Sequence, residues 1–392
     1  MTRSLPRPPG ARRSRPGAAG LAAALALSLA ACAGPRPAER VGPVPEEVRF
    51  PEGPAVEVSS LDLELSGKND EELFAVGTAA FASGDYRRAA VAFGRVVDLH
   101  TGSAHVAPAL FDAGLSHERL GEWREALLRF EALARGYVGP DADEAAFHAA
   151  AAKWHLGDLA GARGILEGLA PRQDLSSSNR IRALTETGVV DLELGELDRA
   201  ERGLRLAVSL WSEAQDRERL DPYHPAQAHY YLGEVERTRF REAPLDPSRD
   251  GDHALEAALE RKTEFLLAAQ GYYLRAIRVG DPDWAIASGY RIGELYDELH
   301  AQMTAAPLPP GLSEEERVAY REELGRKLKV LLVKAIAVYE QTIAAARQGN
   351  VDNRFVEAAQ GSLERMKRSL VEVEALPPEA GAPPPPAATG LP

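Results

Sequence analysis

The pattern of hydrophobic and small side chains in the segment 75–97 recurs with the same spacing in the segment 112–134. In both segments a small residue lies in a first apolar stretch, a glycine follows, and an aromatic residue, an alanine and a large apolar residue line a second stretch. Residues 149–170 and 186–208 repeat the glycine, the alanine and the large apolar residue. Apolar positions three and four residues apart are typical of amphipathic helices. Each segment therefore predicts two antiparallel helices joined by a short turn.

A glycine in each segment is predicted to form the turn between the two helices, because glycine adopts positive φ values at little cost. An earlier small residue, such as Gly77 or Gly114, is predicted to let the two helices approach closely. A large apolar residue such as Phe93 is predicted to fill the seam to the next helix pair. The predicted turn glycines are Gly84, Gly121, Gly157 and Gly195.

The same pattern continues in a looser form towards the C-terminus. Residues 226–240, 254–280 and 283–303 predict three further helices. A capping box at Ser313 and Glu316 marks the start of a fourth, long helix. The long helix and a closing helix are predicted at 313–347 and 356–370. The chain is thus predicted to contain six helix pairs and a cap.

This succession of small residue, turn glycine, aromatic residue or Leu, alanine and large apolar residue resembles the tetratricopeptide (TPR) repeat over residues 70–215. The spacing of about 37 residues slightly exceeds the usual repeat of about 34. The resemblance implies an all-α, right-handed TPR-like helical-hairpin solenoid with extended C-terminal helices. The expected domains are a TPR-like solenoid of about four repeats at 59–220 and divergent TPR-like helical pairs with a C-terminal capping helix at 221–375.

The N-terminus has the pattern of a secretory signal followed by a lipid-attachment site. Arginines precede an apolar run at residues 21–30 that is too short to span a bilayer. The residues Leu29, Ala30, Ala31 and Cys32 resemble the lipobox of bacterial lipoproteins, and Cys32 is the only cysteine. The resemblance implies cleavage before Cys32 and attachment of lipid to its thiol. The expected segments are a lipoprotein signal peptide at 1–31, a lipid-anchored flexible tether at 32–58 and a Pro/Ala-rich disordered tail at 376–392.

Two features narrow the location and the partners. Ala33 stands where an Asp would retain such a lipoprotein in the inner membrane, so the lipoprotein resemblance implies the outer membrane, facing the periplasm. The net charge of −13 makes nucleic acid an unfavourable partner. We therefore expect protein or peptide partners in the envelope, contact with the membrane through the lipid on Cys32, and no nucleic acid. The sequence leaves the oligomeric state open.

The sequence lacks the usual signatures of catalysis and of metal binding. It contains no G-x-S-x-G, Walker A, H-E-x-x-H or EF-hand pattern. Nine histidines are scattered along the chain, and His148 and His155 share a helix face without the i,i+4 spacing of a zinc-binding helix. We therefore predict no metal, no cofactor and no enzyme activity. A peptidoglycan-acting enzyme, with its catalytic centre in residues 220–370, is the alternative from another functional class.

The TPR resemblance also implies a concave groove lined by the first helix of each pair. In the family, the fifth, ninth and twelfth repeat positions point into this groove. The fifth position is aromatic in five of the six pairs, and the last two pairs place charged, partly acidic residues at the other two positions. Aromatic side chains there could bind a partner peptide or pack within the solenoid. The groove candidates are Phe74, Phe111, Phe147, Trp154, Tyr230, Tyr290, Glu294 and Asp297.

The expected function is that of a lipid-anchored, periplasm-facing scaffold or adaptor in a cell-envelope machine. Residues 224–370 resemble TPR lipoproteins associated with the gliding-motility machinery of myxobacteria. That resemblance implies a role in gliding motility or a similar process. An assembly factor for pili or for outer-membrane proteins is the alternative within the same class.

Overall fold

Helices in antiparallel pairs account for nearly all of the regular structure. A computed structural model describes residues 60–215, 219–244, 252–308 and 311–376, and within these ranges it contains fourteen α-helices and no strand. The helices are α1 (Ser60–Leu65), α2 (Asp70–Ser83), α3 (Tyr86–Leu99), α4 (Val106–Leu120), α5 (Trp123–Gly136), α6 (Pro140–His155), α7 (Leu159–Leu169), α8 (Ser177–Glu193), α9 (Leu197–Glu213), α10 (Tyr223–Glu242), α11 (Asp252–Val279), α12 (Pro282–Ala305), α13 (Glu314–Gly349) and α14 (Arg354–Glu374). Helices α2 to α13 form six consecutive hairpins, and α14 follows the last one. The predicted all-α, TPR-like solenoid with extended C-terminal helices is confirmed.

The predicted turn glycines all adopt the left-handed conformation. Each lies between the first and the second helix of its hairpin, with φ between +74° and +85°. Residues with a Cβ rarely adopt this conformation, so glycine allows a tight turn at no steric cost. The four are Gly84, Gly121, Gly157 and Gly195.

Small residues let the two helices of a hairpin approach closely, as predicted. A Cβ at Gly77 would lie 2.7 Å from the ring of Phe93, and a Cβ at Gly114 would lie 2.6 Å from Phe130. Phe93 therefore rests directly on the backbone of α2. Its ring also joins a buried cluster with Ala109 of α4, so it fills the seam to the next hairpin as well.

The first helices of successive hairpins lie side by side. Helix α4 contacts α6, α8 contacts α10, and α10 contacts α12. We call the layer formed by α2, α4, α6, α8, α10 and α12 the inner layer, and its solvent-facing side the inner surface. The second helices form the outer layer of the stack.

The C-terminal helices are longer than those of the first repeats. Helix α13 has 36 residues and starts with the predicted capping box, in which Ser313 and Glu316 each bond the backbone N–H of the other. Helix α11 has 28 residues. In the part of the chain that the structure describes, no helix is long and apolar enough to cross a membrane. The predicted signal peptide, the lipobox with Cys32, the tether and the tail beyond Leu376 lie outside the described residues.

Candidate protein-binding surface

Phe74 and Phe111 lie at the N-terminal end of the inner layer and are only half-buried. The Phe74 ring stacks on His105, at the start of α4, with 4.8 Å between ring centroids, and it is tilted against the ring of Phe93 with 5.4 Å between centroids. Phe111 makes edge contacts with Phe130 at 5.8 Å and with His148 of α6 at 5.6 Å. Each ring is thus held at a seam between repeats while part of its surface remains accessible.

Phe147 and Trp154 lie on α6, the first helix of the third hairpin, and both are buried. Phe147 is 0% exposed, and the guanidinium of Arg182 from α8 covers its ring at 4.0 Å. Trp154 is 9% exposed and contacts His155 edge-on at 5.0 Å. A long cationic side chain from the next repeat thus closes the inner surface over Phe147, which agrees with the packing role that the sequence left open for these aromatic residues.

A ladder of polar side chains crosses the inner layer between α4 and α8. His148 Nδ1 lies 2.9 Å from Glu118 Oε1, and its Nε2 lies 3.5 Å from Glu144 Oε1. Arg182 donates from Nη1 to Glu144 and from Nε to Glu186, at 2.8 Å in both cases. The pairs His148–Glu118 and Arg182–Glu144 join neighbouring helices, and the other two pairs each join successive turns of one helix. The ladder therefore connects three consecutive hairpins.

Arg182 favours the ionised form of Glu144 within the ladder. Burial alone would raise the pKa of Glu144, but the nearby Arg182 guanidinium outweighs it and holds that pKa below its ordinary value of 4.5.

A cavity of about 270 Å³ lies beside the ladder, between α8 and the start of α10. Arg182, Asp221 and His224 contribute to its walls, and burial lowers the pKa of His224.

Of the aromatic candidates in the last two repeats, Tyr230 is buried and Tyr290 is half-buried. Tyr230 is 3% exposed, and its ring lies between Trp284, at 4.9 Å, and Tyr273, at 5.7 Å. Its hydroxyl accepts a hydrogen bond from Nε of Arg291 at 2.9 Å. Tyr230 therefore packs within the stack, which is one of the two roles that the sequence left open for the groove aromatics. Tyr290 is half-buried and donates its hydroxyl hydrogen to Glu294 at 2.8 Å.

Charged side chains of α10 and α12 form an interior ion network at this end of the layer. Arg237 is 2% exposed and donates to Glu294 at 3.0 Å and to Glu298. Arg291 pairs with Glu234 at 3.1 Å and also with Glu294. The charged, partly acidic residues of the last two pairs thus include a network in which each of these three carboxylates faces a guanidinium.

Asp297 faces the closing helix rather than an open groove. Its carboxylate lies 3.4 Å from Arg365 of α14. Burial raises the pKa of Asp297, and Arg365 opposes this effect. This residue therefore joins the last hairpin to the cap.

Sequence reasoning missed Arg182, Glu298 and Arg291 as organising residues of the inner layer. Arg182 stands six residues before the small Gly188, at a repeat position where other pairs carry Glu71 or Glu144. Arg182 is the only cation at this repeat position, and that was the available signal. In the described residues no group of His, Cys, Asp and Glu is arranged to hold a metal ion.

No protein-family model and no curated protein matches this chain. Solved structures with a similar helical fold include the MamA protein, with 14% identity, 51% of this chain and 91% of that chain covered, and a TM-score of 0.36. The apo form of RapI is 10% identical, the match covers 77% of this chain and 99% of that chain, and the TM-score is 0.41. A TPR protein from Parabacteroides merdae is 14% identical, the match covers 76% of this chain and 98% of that chain, and the TM-score is 0.35. These similarities concern the fold alone.

Proposed function

We propose that this protein is a scaffold that binds protein partners on the inner surface of its first repeats. One observation carries the proposal: Phe74 and Phe111 are only half-buried, whereas their counterparts Phe147 and Tyr230 are buried. Half-exposed aromatic rings held by rigid helices offer large contact area at a small entropic cost. Stacked repeats in turn provide extended binding surfaces.

We further propose that a lipid on Cys32 holds the scaffold at the outer membrane, facing the periplasm. The support is the sequence pattern Leu29-Ala30-Ala31-Cys32 after an arginine-rich start and an apolar run. Several acyl chains anchor a protein stably, whereas one short chain does not. A tethered scaffold raises the local concentration of its partner. Such a protein would serve a cell-envelope machine, of which gliding motility is our first candidate.

The lipid anchor predicts a clear result for Cys32→Ser. The wild-type protein should incorporate radiolabelled palmitate in cells and sediment with membranes, whereas the variant should do neither, because its single attachment atom is gone. The measurement is labelling followed by membrane fractionation. Ala33→Ser, one residue further on, is the matched control and should stay labelled. Equal labelling of Cys32→Ser and wild type would reject the anchor.

The binding surface predicts position-dependent cross-linking in the native envelope. A photo-cross-linking amino acid at Phe111 should capture a defined set of envelope proteins. The same group at Leu267, which is 57% exposed on the outer helix α11, should not capture that set. Mass spectrometry of the adducts is the measurement. Capture of the same proteins from Leu267 alone would move the binding surface to the outer layer.

The identities of the captured proteins then separate the envelope roles. Motility proteins, together with loss of movement and intact barrel proteins in a deletion strain, would support the first candidate. Barrel proteins, together with their depletion in the deletion strain, would support outer-membrane protein assembly instead.

A further inference from the structure

The accessible part of the inner surface combines apolar side chains with a surplus of negative charge. Phe74, Phe111 and Leu115 are half-buried along α2 and α4. They share one side of the stack with the polar ladder, since Phe111 contacts His148 directly. A partner segment lying across this surface would therefore touch rings and carboxylates together.

The charges of this region do not cancel. Three carboxylates of the ladder, Glu118, Glu144 and Glu186, stand against one guanidinium, and Arg182 is already bonded to two of them. The side chains of Glu144 and Glu186 remain 36% and 25% exposed. One further cation, Arg119, lies at the margin of the surface, where it stacks over Phe81 and Tyr86.

The other end of the inner layer has no such surplus. Arg237 and Arg291 face Glu234, Glu294 and Glu298 in its interior, and Arg241 also pairs with Glu298. Three guanidinium groups thus meet three carboxylates. This network therefore presents no surplus of negative charge.

We propose that this surface selects a basic, amphipathic segment of a partner protein. Its apolar side chains would pack on Phe74 and Phe111, and its lysines or arginines would lie beside Glu144 and Glu186. Complementary charge steers association and rejects partners of like charge. This inference rests on the proposed function and names the chemistry of the partner that the scaffold binds.

Two synthetic peptides of matched length test the charge preference. Both carry the same leucines and phenylalanines on one helical face, and one has lysine where the other has glutamate. The purified protein should bind the lysine peptide at least about tenfold more tightly in fluorescence anisotropy at about 0.15 M salt. The difference should shrink as salt rises, because salt screens exposed charges.

Matched variants locate the preference. The double variant Glu144→Gln/Glu186→Gln should lower the affinity for the lysine peptide by about tenfold. The double variant Glu260→Gln/Glu264→Gln removes the same charge from exposed positions on the outer helix α11 and should leave the affinity within about twofold. Phe111→Ser should weaken binding of the lysine peptide as well. Circular dichroism verifies that each variant keeps the helical fold.

Each other outcome overturns a distinct claim. If both peptides bind equally and Phe111→Ser weakens both, the charge preference is rejected while the inner surface stands as a protein-binding site. If the outer double variant loses as much affinity as the inner one, overall acidity explains binding and the proposed surface is rejected. If neither peptide binds although Phe111 cross-links partners in cells, the basic segment is rejected and the scaffold function stands.

Discussion

Arg237→Met is expected to lower the free energy of unfolding by about 3–5 kcal/mol at pH 7. Removal of one partner from a buried ion network leaves the opposite charges without compensation in a poorly solvated site, which typically costs this amount. Arg237 is 2% exposed, and Glu294 and Glu298 both accept its hydrogen bonds. Methionine preserves much of the side-chain volume, so the loss reports charge rather than a cavity.

A solvent-exposed ion pair provides the matched control for this effect. Arg135 is 73% exposed and pairs with Glu131 one helical turn away. Arg135→Met should lower the free energy of unfolding by less than about 1 kcal/mol, because water already screens the pair. Urea unfolding followed by circular dichroism measures both variants. Equal losses would show that the network around Arg237 is no stronger than a surface pair.

The pH dependence of the Arg237→Met deficit separates a charge effect from a packing effect. Burial alone would raise the pKa of Glu294, but Arg237 and Arg291 hold it below its ordinary value of 4.5. A carboxylate with a lowered pKa contributes stability above the unfolded-state pKa and loses it as pH falls through the folded-state pKa. The loss in free energy of unfolding caused by Arg237→Met should therefore be largest at pH 7 and should become smaller below about pH 4.5. A deficit that is constant with pH would indicate lost packing instead.

The helical hairpins could be predicted from the sequence because local rules determine them. Gly84 and its equivalents mark turns that need a positive φ, and Gly77 marks the contact that Phe93 fills. Each of these features repeats along the chain with nearly constant spacing, so one hairpin predicts the next. The capping box at Ser313 likewise follows from residues three positions apart.

Whether each groove residue is buried or paired could not be predicted from the sequence, because this depends on side chains from other repeats. Phe147 is buried because Arg182, on a different hairpin, covers its ring. Glu294 is neutralised by Arg237, which lies 57 positions earlier in the chain. A position within one repeat specifies which helix face a side chain occupies. It does not specify whether a neighbouring repeat will cover or pair that side chain.

Gly233→Ala is expected to lower the free energy of unfolding by about 1–3 kcal/mol, although alanine favours helices over glycine by about 1 kcal/mol. A Cβ at Gly233 would lie 2.7 Å from Cδ1 of Tyr273 and closer still to Cε1. Tyr273 is fully buried, and its hydroxyl donates to Glu234, so the ring has little freedom to move aside. Helices α10 and α11 would have to separate. Thermal and urea unfolding measure the loss.

The same substitution at an open position should act in the opposite direction. Gly361 lies within α14, and a Cβ there would meet no atom within 4 Å. Gly361→Ala should therefore raise the free energy of unfolding by about 0.5–1 kcal/mol through helix propensity alone. Opposite signs for the two variants would show that Gly233 is required by the close packing of one hairpin. If both variants stabilise the protein, Tyr273 can move aside, and the small repeat position is dispensable for stacking.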